Sequence, residues 1–236
     1  MNFGFSTGCF YMFMEPISLK AINICQNFKF NIIELNACTL ERINLLKDIR
    51  KEDLQDFEYV SVHAPDHDVM SKLDSRGHKK VFDILEDAYK RLKFNSLVLH
   101  PGEWIVDWEI FNNYTLPIAF ENNDWRHKIG ADVKSLKEIL KNKNFKLVLD
   151  INHCYTNDSS MELTKEIYNN FKNKVTHYHL SGIENYKEPH VPLYRSQGKK
   201  LTDNIPNKDI PIIIESVFTD LKDAQKEIDF LRKNIK

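Results

Sequence analysis

Eight strand–helix alternations along 236 residues predict a single (β/α)8 TIM barrel spanning residues 1–236, with parallel strands and a metal site at its C-terminal mouth. Three observations carry this. The strand-like segments are nearly continuous apolar runs, the mark of a sheet buried on both faces, and their alternation with helices marks a parallel one. Six of them end in a residue able to bind a metal: His63, His100, Glu121, Asp150, His179 and Glu215. An open doubly wound sheet gives no reason for this, whereas a barrel brings every strand end to one mouth. Such a sheet also carries a glycine-rich first turn, and the chain has no GxGxxG, no GxxxxGKS and only seven glycines.

The elements follow from local pattern. Phe3 to Thr7 is a strand bracketed by Gly4 and Gly8. Pro16 opens a helix with Ile17, Ala21, Ile24 and Phe28 at helical spacing. NIIELN is the second strand, Leu40 to Leu54 a helix, and YVSVH the third strand, stopped by Pro65. A polar loop runs to Asp74. Ser75 to Phe94 is the longest helix, burying Val81, Ile84, Leu85, Ala88 and Leu92. SLVLH is the fourth strand, Asp107 to Tyr114 a short helix, PIAFE the fifth strand, Asp132 to Leu140 a helix and KLVLD the sixth strand. Met161 to Phe171 is helical, and VTHYH is the seventh strand. Residues 181–207 form a long polar loop with no assignable helix. PIIIE is the eighth strand, and Asp220 to Lys236 closes the chain as a helix with Leu221, Ala224, Ile228 and Leu231 inward.

Composition narrows the function classes. A hydrophobic content of 42% permits a sizeable core. The net charge of -1 lacks the basic excess of a dedicated nucleic-acid binder. Cys9, Cys25, Cys38 and Cys154 form no CxxC pair and read as reduced thiols of a cytoplasmic protein. The N-terminus lacks a charged n-region and carries Glu15, so it reads as strand and loop, not as a signal peptide. No apolar run is long enough to span a membrane, and nothing points to a protein partner.

The segment KLVLDINH shows the chemistry and its alternative together. A buried strand delivers the Asp150 carboxylate, with His153 on the following loop, which is half of a metal site. Asp after an apolar run is also the residue of a helix cap or turn. Each histidine alone is compatible with a structural role, and His67 and His78 read as solvated. His127 fits pocket wall or surface. His177 shares its strand face with His179 but lies one layer deeper.

The ordered set HAP, LHPG, FENN, LDINH, HYHLSG, EPH and IIES resembles the xylose isomerase-like barrel superfamily, which contains endonuclease IV-type apurinic endonucleases and sugar-phosphate isomerases and epimerases. The resemblance covers essentially the whole chain. It implies two or three divalent metal ions. One would be held by His63 and His100 with Glu121 bridging, the second by Glu121, Asp150, His179 and Glu215, and the third by His153, Glu188 and His190. At Glu188 the nuclease carries Asp. Imidazole and carboxylate suit Zn, Mn or Fe(II), and no cysteine is expected among the convergent positions.

Two activities are implied. A multinuclear centre generates a hydroxide nucleophile and takes up charge on a leaving oxygen, which makes a phosphoester hydrolase related to endonuclease IV. Alternatively, Glu121 and Glu215 act as the acid/base pair of a metal-dependent sugar or sugar-phosphate isomerase or epimerase. The substrate is then a small phosphorylated or sugar molecule, with abasic DNA as a further candidate. The chain departs from the nuclease in the loops that handle DNA: Asp66-His67-Asp68 follows Pro65 without an aromatic wedge, and Leu180-Ser181-Gly182 replaces an Asn-Asp. Glu34, Trp104 and Arg195 are candidate substrate-binding residues. Trp108 reads as packing, and Trp125 is an open choice between stacking and packing. A non-catalytic barrel that keeps its ligands for stability is the third class.

Overall fold

The computed structural model describes residues 2–141, 144–185 and 188–235, the side chains of residues 185, 188 and 189 excepted. In chain order the strands are β1 (Phe3–Ser6), β2 (Ile32–Asn36), β3 (Tyr59–His63), β4 (Ser96–Leu99), β5 (Ile118–Glu121), β6 (Lys146–Asp150), β7 (Val175–Leu180), β8 (Gly182–Asn185), β9 (Glu188–Val191) and β10 (Ile212–Ile214). The helices between and after them are α1 (Leu19–Asn27), α2 (Leu40–Leu45), α3 (His67–Met70), α4 (Ser75–Leu92), α5 (Val133–Ile139), α6 (Ile151–Asn157), α7 (Glu162–Phe171), α8 (Gly198–Asp203) and α9 (Leu221–Asn234). β1 to β7 and β10 close into a parallel barrel, in which β10 lies between β7 and β1. β8 and β9 form a separate antiparallel hairpin. This is the (β/α)8 architecture that the strand–helix rhythm predicts.

The strands are apolar mainly on one face. Alternate residues such as Phe5, Ile33, Leu35, Val62, Leu97, Phe120, Leu149 and Ile214 join the large core between barrel and helices. The other set points into the barrel by the two-residue period. There, Val98, Ala119 and Val148 form a small apolar cluster of their own. Many of the remaining inward positions are small or polar: Gly4, Ser6, Glu34, Ser61, Ser96 and His177. The registers set His63 beside Asn36 and His179 beside Asp150, while the stagger of the barrel sets His63 beside Val98 and Glu121 beside Val148.

Helix starts obey side-chain caps. α1 begins at Leu19 and not at Pro16, because the Ser18 hydroxyl accepts the Ala21 N–H. Thr39, Asp74, Asp132 and Asp220 cap their helices in the same way. The stretch Leu40–Leu54, expected as one helix, breaks after Leu45 into two 3-10 turns. Ile49 is extended and buried there, and Arg91 of α4 donates to the carbonyls of Leu46 and Ile49 at 3.2 and 3.1 Å. The loop 181–207 contains the β8–β9 hairpin and α8, which the sequence reading left without structure. Leu221, expected inward, is 45% exposed, since it is the first residue of α9 and the buried stripe begins with Asp223 and Ala224. His78, expected in solvent, is buried and bonds the Met70 carbonyl at 2.9 Å.

Closure of β1 against β2 tolerates no side chain at Gly4, where a Cβ would lie 1.9 Å from the Ile32 carbonyl oxygen. Gly4→Ala is expected to lower stability by about 3 kcal/mol or prevent folding. Urea denaturation checks this, and a loss below about 1 kcal/mol would contradict the packing described.

Candidate metal centre

The inward residues at the C-terminal strand ends meet around Glu121. Its carboxylate is 1% exposed at the end of β5. Oε2 faces His63 Nε2 at 3.4 Å and His100 Nε2 at 3.5 Å. Oε1 faces His179 Nδ1 at 3.2 Å and His153 Nδ1 at 3.4 Å. Glu215 Oε2 lies 3.4 Å from the same His179 nitrogen. Two sets of donor atoms therefore share Glu121: His63 with His100, and Asp150 with His179 and Glu215.

Asp150 serves two purposes. Its Oδ1 accepts the His153 N–H at 2.7 Å and caps α6, while Oδ2 is buried without a hydrogen-bond partner. The cap and the ligand readings of KLVLDINH thus fall on one side chain. His153 sits in the first turn of α6, not on a loop as expected.

Three of the rings are held by Nδ1. His63 Nδ1 donates to the Ala64 carbonyl at 2.8 Å, and His100 Nδ1 to Asn123 Oδ1 at 2.9 Å. His153 Nδ1 donates to the Asn122 carbonyl at 2.8 Å. In the neutral ring this leaves Nε2 without a proton. Asn122 and Asn123 are the residues the sequence reading missed. Asn122 also clasps the Asp150 backbone, its Oδ1 2.7 Å from the amide and its Nδ2 3.0 Å from the carbonyl. Their signal was present in FENN, directly after a strand-end glutamate.

The electrostatics show an anionic centre short of positive charge. Burial works to raise the Glu121 carboxyl, but His179 and His100 hold it well below the usual range. Burial pushes Asp150 up to about 6 against the pull of His153. Burial, with Glu121 and Glu34 nearby, pushes Glu215 up to about 8 against His179. Glu121 Oε2, Asp150 Oδ2 and His179 Nδ1 are all buried without hydrogen-bond partners. Convergent, dry, unsatisfied donor atoms of this kind are what a divalent cation satisfies.

A cavity of about 440 Å³ opens over these residues, lined also by Arg42, Asp66, His67, Asp124, Arg126 and His127. His190, in a left-handed conformation in β9, lies at its wall with Nδ1 3.2 Å from Ser181 Oγ and 4.0 Å from Glu215. The side chain of Glu188 lies outside the described residues. Cys38 also lines the cavity, with Sγ 3.3 Å from His63 Nδ1, contrary to the expectation that no cysteine joins the convergent positions. It follows Asn36 by two, so strand parity pointed to it. Burial raises its thiol to about 12. All four cysteines are unbridged and buried.

Three candidates sit elsewhere than expected. Glu34 is fully buried inside the barrel beneath the cavity, not on its wall. Trp104 is buried against His78, Phe82 and Phe111, and its Nε1 donates to the His100 carbonyl at 3.1 Å, so it supports the end of β4 and does not line the cavity. Arg195 is exposed on the turn Leu193–Arg195 and does not line the cavity either. Trp108 packs on Phe111, Phe120 and Phe145 as expected.

No family model and no curated protein matches the sequence. Solved structures do. Endonuclease IV from Thermus thermophilus aligns with a TM-score of 0.70 at 14% identity, over 99% of this chain and 98% of that one. The probable 3-DHS dehydratase AsbF involved in petrobactin synthesis, from Bacillus anthracis, gives 0.72 at 15% identity over 100% of both. D-allulose 3-epimerase from Methylomonas sp. gives 0.69 at 14% identity, over 99% and 98%. By fold, this chain is a (β/α)8 barrel similar to these structures.

Proposed function

We propose that this chain is a metal-dependent enzyme whose centre holds at least two divalent ions and hydrolyses the phosphoester of a small substrate. The observation that supports this most is the position of Glu121, with one oxygen turned to His63 and His100 and the other to the His179 side. A site for one ion needs only Glu121, Asp150, His179 and Glu215. The pre-oriented outer pair is then unexplained. Zn, Mn and Fe(II) suit the imidazole and carboxylate donors. Bound ions would acidify water and stabilise charge on a leaving oxygen. The protein's own part is to fix the donor atoms through Asn122, Asn123 and the Ala64 carbonyl, and to keep the floor of the cavity dry. His153 and His190 extend the centre toward a third ion. Both arginines of the cavity wall are already paired, Arg42 with Glu15 at 3.3 Å and Arg126 with Asp124 at 2.6 Å. The wall therefore offers little free positive charge to a polyanionic strand. The fold neighbours include an endonuclease and epimerases, so abasic DNA and sugar substrates belong in the first panel.

The second reading is an isomerase or epimerase that exchanges protons through Glu121 and Glu215, which the convergence of both carboxylates near His179 favours. The outer ligands separate the two. Under the hydrolase reading, elemental analysis gives two or three Zn, Mn or Fe per chain, and His100→Ala lowers phosphodiester turnover by at least about a hundredfold. One ion per chain, with His100→Ala unaffected and Glu215→Ala inactive on sugar substrates, would select the isomerase.

The protonation of the centre sets a pH dependence. Asp150 and Glu215 titrate in the metal-free fold above their unfolded values, and the His63 and His179 rings are also raised. The metal-free folded chain therefore binds more protons than the unfolded chain between about pH 7 and 8.5, and its stability falls as pH rises through that window. Metal uptake expels these protons, so affinity rises by about tenfold per pH unit for each proton displaced. Metal titrations and melting curves across that window check both signs. A metal-free melting temperature that climbs with pH would contradict them.

A further inference from the structure

Beneath the metal centre, inside the barrel, lies a second polar layer that the proposed chemistry does not use. Glu34 of β2 and His177 of β7 are both fully buried there. Glu34 Oε2 is 3.1 Å from His179 Nε2 and accepts the Ser61 hydroxyl at 2.8 Å. His177 Nε2 is 3.2 Å from the same His179 nitrogen. At its other end, His177 Nδ1 lies 3.1 Å from Thr176 Oγ1 and 2.9 Å from the Tyr59 hydroxyl.

The Glu34 carboxylate, which can only accept, sets the protons of this layer. The Thr176 hydroxyl donates to the Leu147 carbonyl at 3.2 Å, so its oxygen, like that of Tyr59, is open to His177 Nδ1–H. A neutral His177 then has a bare Nε2. Glu34 Oε2 is an acceptor as well, and the His179 Nε2 between them must supply the hydrogen. In the neutral ring that a metal requires, His179 Nδ1 is thereby the nitrogen left to ligate, and it faces Glu121 and Glu215. His63, His100 and His153 are oriented by neutral amide oxygens, whereas His179 is oriented by a charged side chain from a strand that contributes no ligand.

We infer that Glu34 is a positioning residue: with His177 it fixes His179 as the Nε2–H tautomer and so presents Nδ1 to the metal. The proposal rests on the metal-centre reading above and assigns Glu34 a role beneath the site in place of substrate contact. Carboxylate–histidine–metal relays of this kind orient the ring and raise its basicity.

The test uses Glu34→Gln with zinc as the probe. Glutamine fills the same space. Ser61 and His179 meet the same oxygen of Glu34, so a glutamine whose oxygen takes that place keeps both contacts and removes only the negative charge behind the His179 ring. Zinc affinity is expected to fall by about 10- to 100-fold. In the zinc-loaded wild-type chain, the ¹⁵N shifts of the His179 ring are expected to report a protonated Nε2 and a metal-bound Nδ1. The shift measurement needs no variant and holds even if Glu34→Gln does not fold. Zinc bound equally tightly by both proteins, or a His179 ring bound through Nε2, would overturn the positioning role while leaving the metal centre intact. A wild-type chain that takes up no zinc, manganese or iron would overturn the metal-centre reading, and the positioning role with it.

Discussion

A carboxylate cannot sit in a dry interior without compensation, and Glu121 is where this constraint bears on the whole chain. Its compensation comes from four different connections: rings at the ends of β3 and β7, one just beyond β4, and one in the first turn of α6. These rings are scattered over more than a hundred positions of sequence. Only a closed barrel brings them within reach, and only the inward phase of each strand aims them at the same point. The outward phase, filled by residues such as Phe5, Leu97 and Phe120, binds the helices that hold the strands in register. Site and core are thus two faces of the same strands.

The same division explains why the barrel interior is so sparsely apolar. Val98, Ala119 and Val148 form one small plug, and polar side chains fill much of the rest. Polar groups so placed are tolerated because they bond one another: Ser61 to Glu34, Glu34 to His179, His177 to Tyr59. The bonding is incomplete: Ser6 Oγ, Ser96 Oγ and Glu34 Oε1 lack partners within the barrel, and at the mouth Glu121 Oε2, Asp150 Oδ2 and His179 Nδ1 of the candidate centre lack them too.

Much of this was legible in the sequence. Strand ends are marked by the switch from an apolar run to a single His, Asp or Glu, so His63, His100, Glu121, Asp150, His179 and Glu215 could be placed by phase alone. What escaped depended on contacts distant in sequence. The break after Leu45 is fixed by Arg91, which reaches over from α4. The hairpin in residues 181–207 has no strong alternation to announce it. Trp104 looked like a stacking surface because it follows β4, but its neighbours are Phe82 and Phe111 of the core. Glu34 was read as pocket wall because parity gives a direction and not a depth.

Asp150 has a consequence of another kind. One of its oxygens starts α6, and the first turn of α6 carries His153. A change at position 150 that removes a donor atom also releases the backbone that aims the next one. The two candidate ligands are therefore linked, and a lesion at the first damages the second without touching its codon. Sequences drifting from this barrel would be expected to keep Asp150 and His153 together or lose them together, while His63 and His100, anchored by separate connections, are free to be lost one at a time.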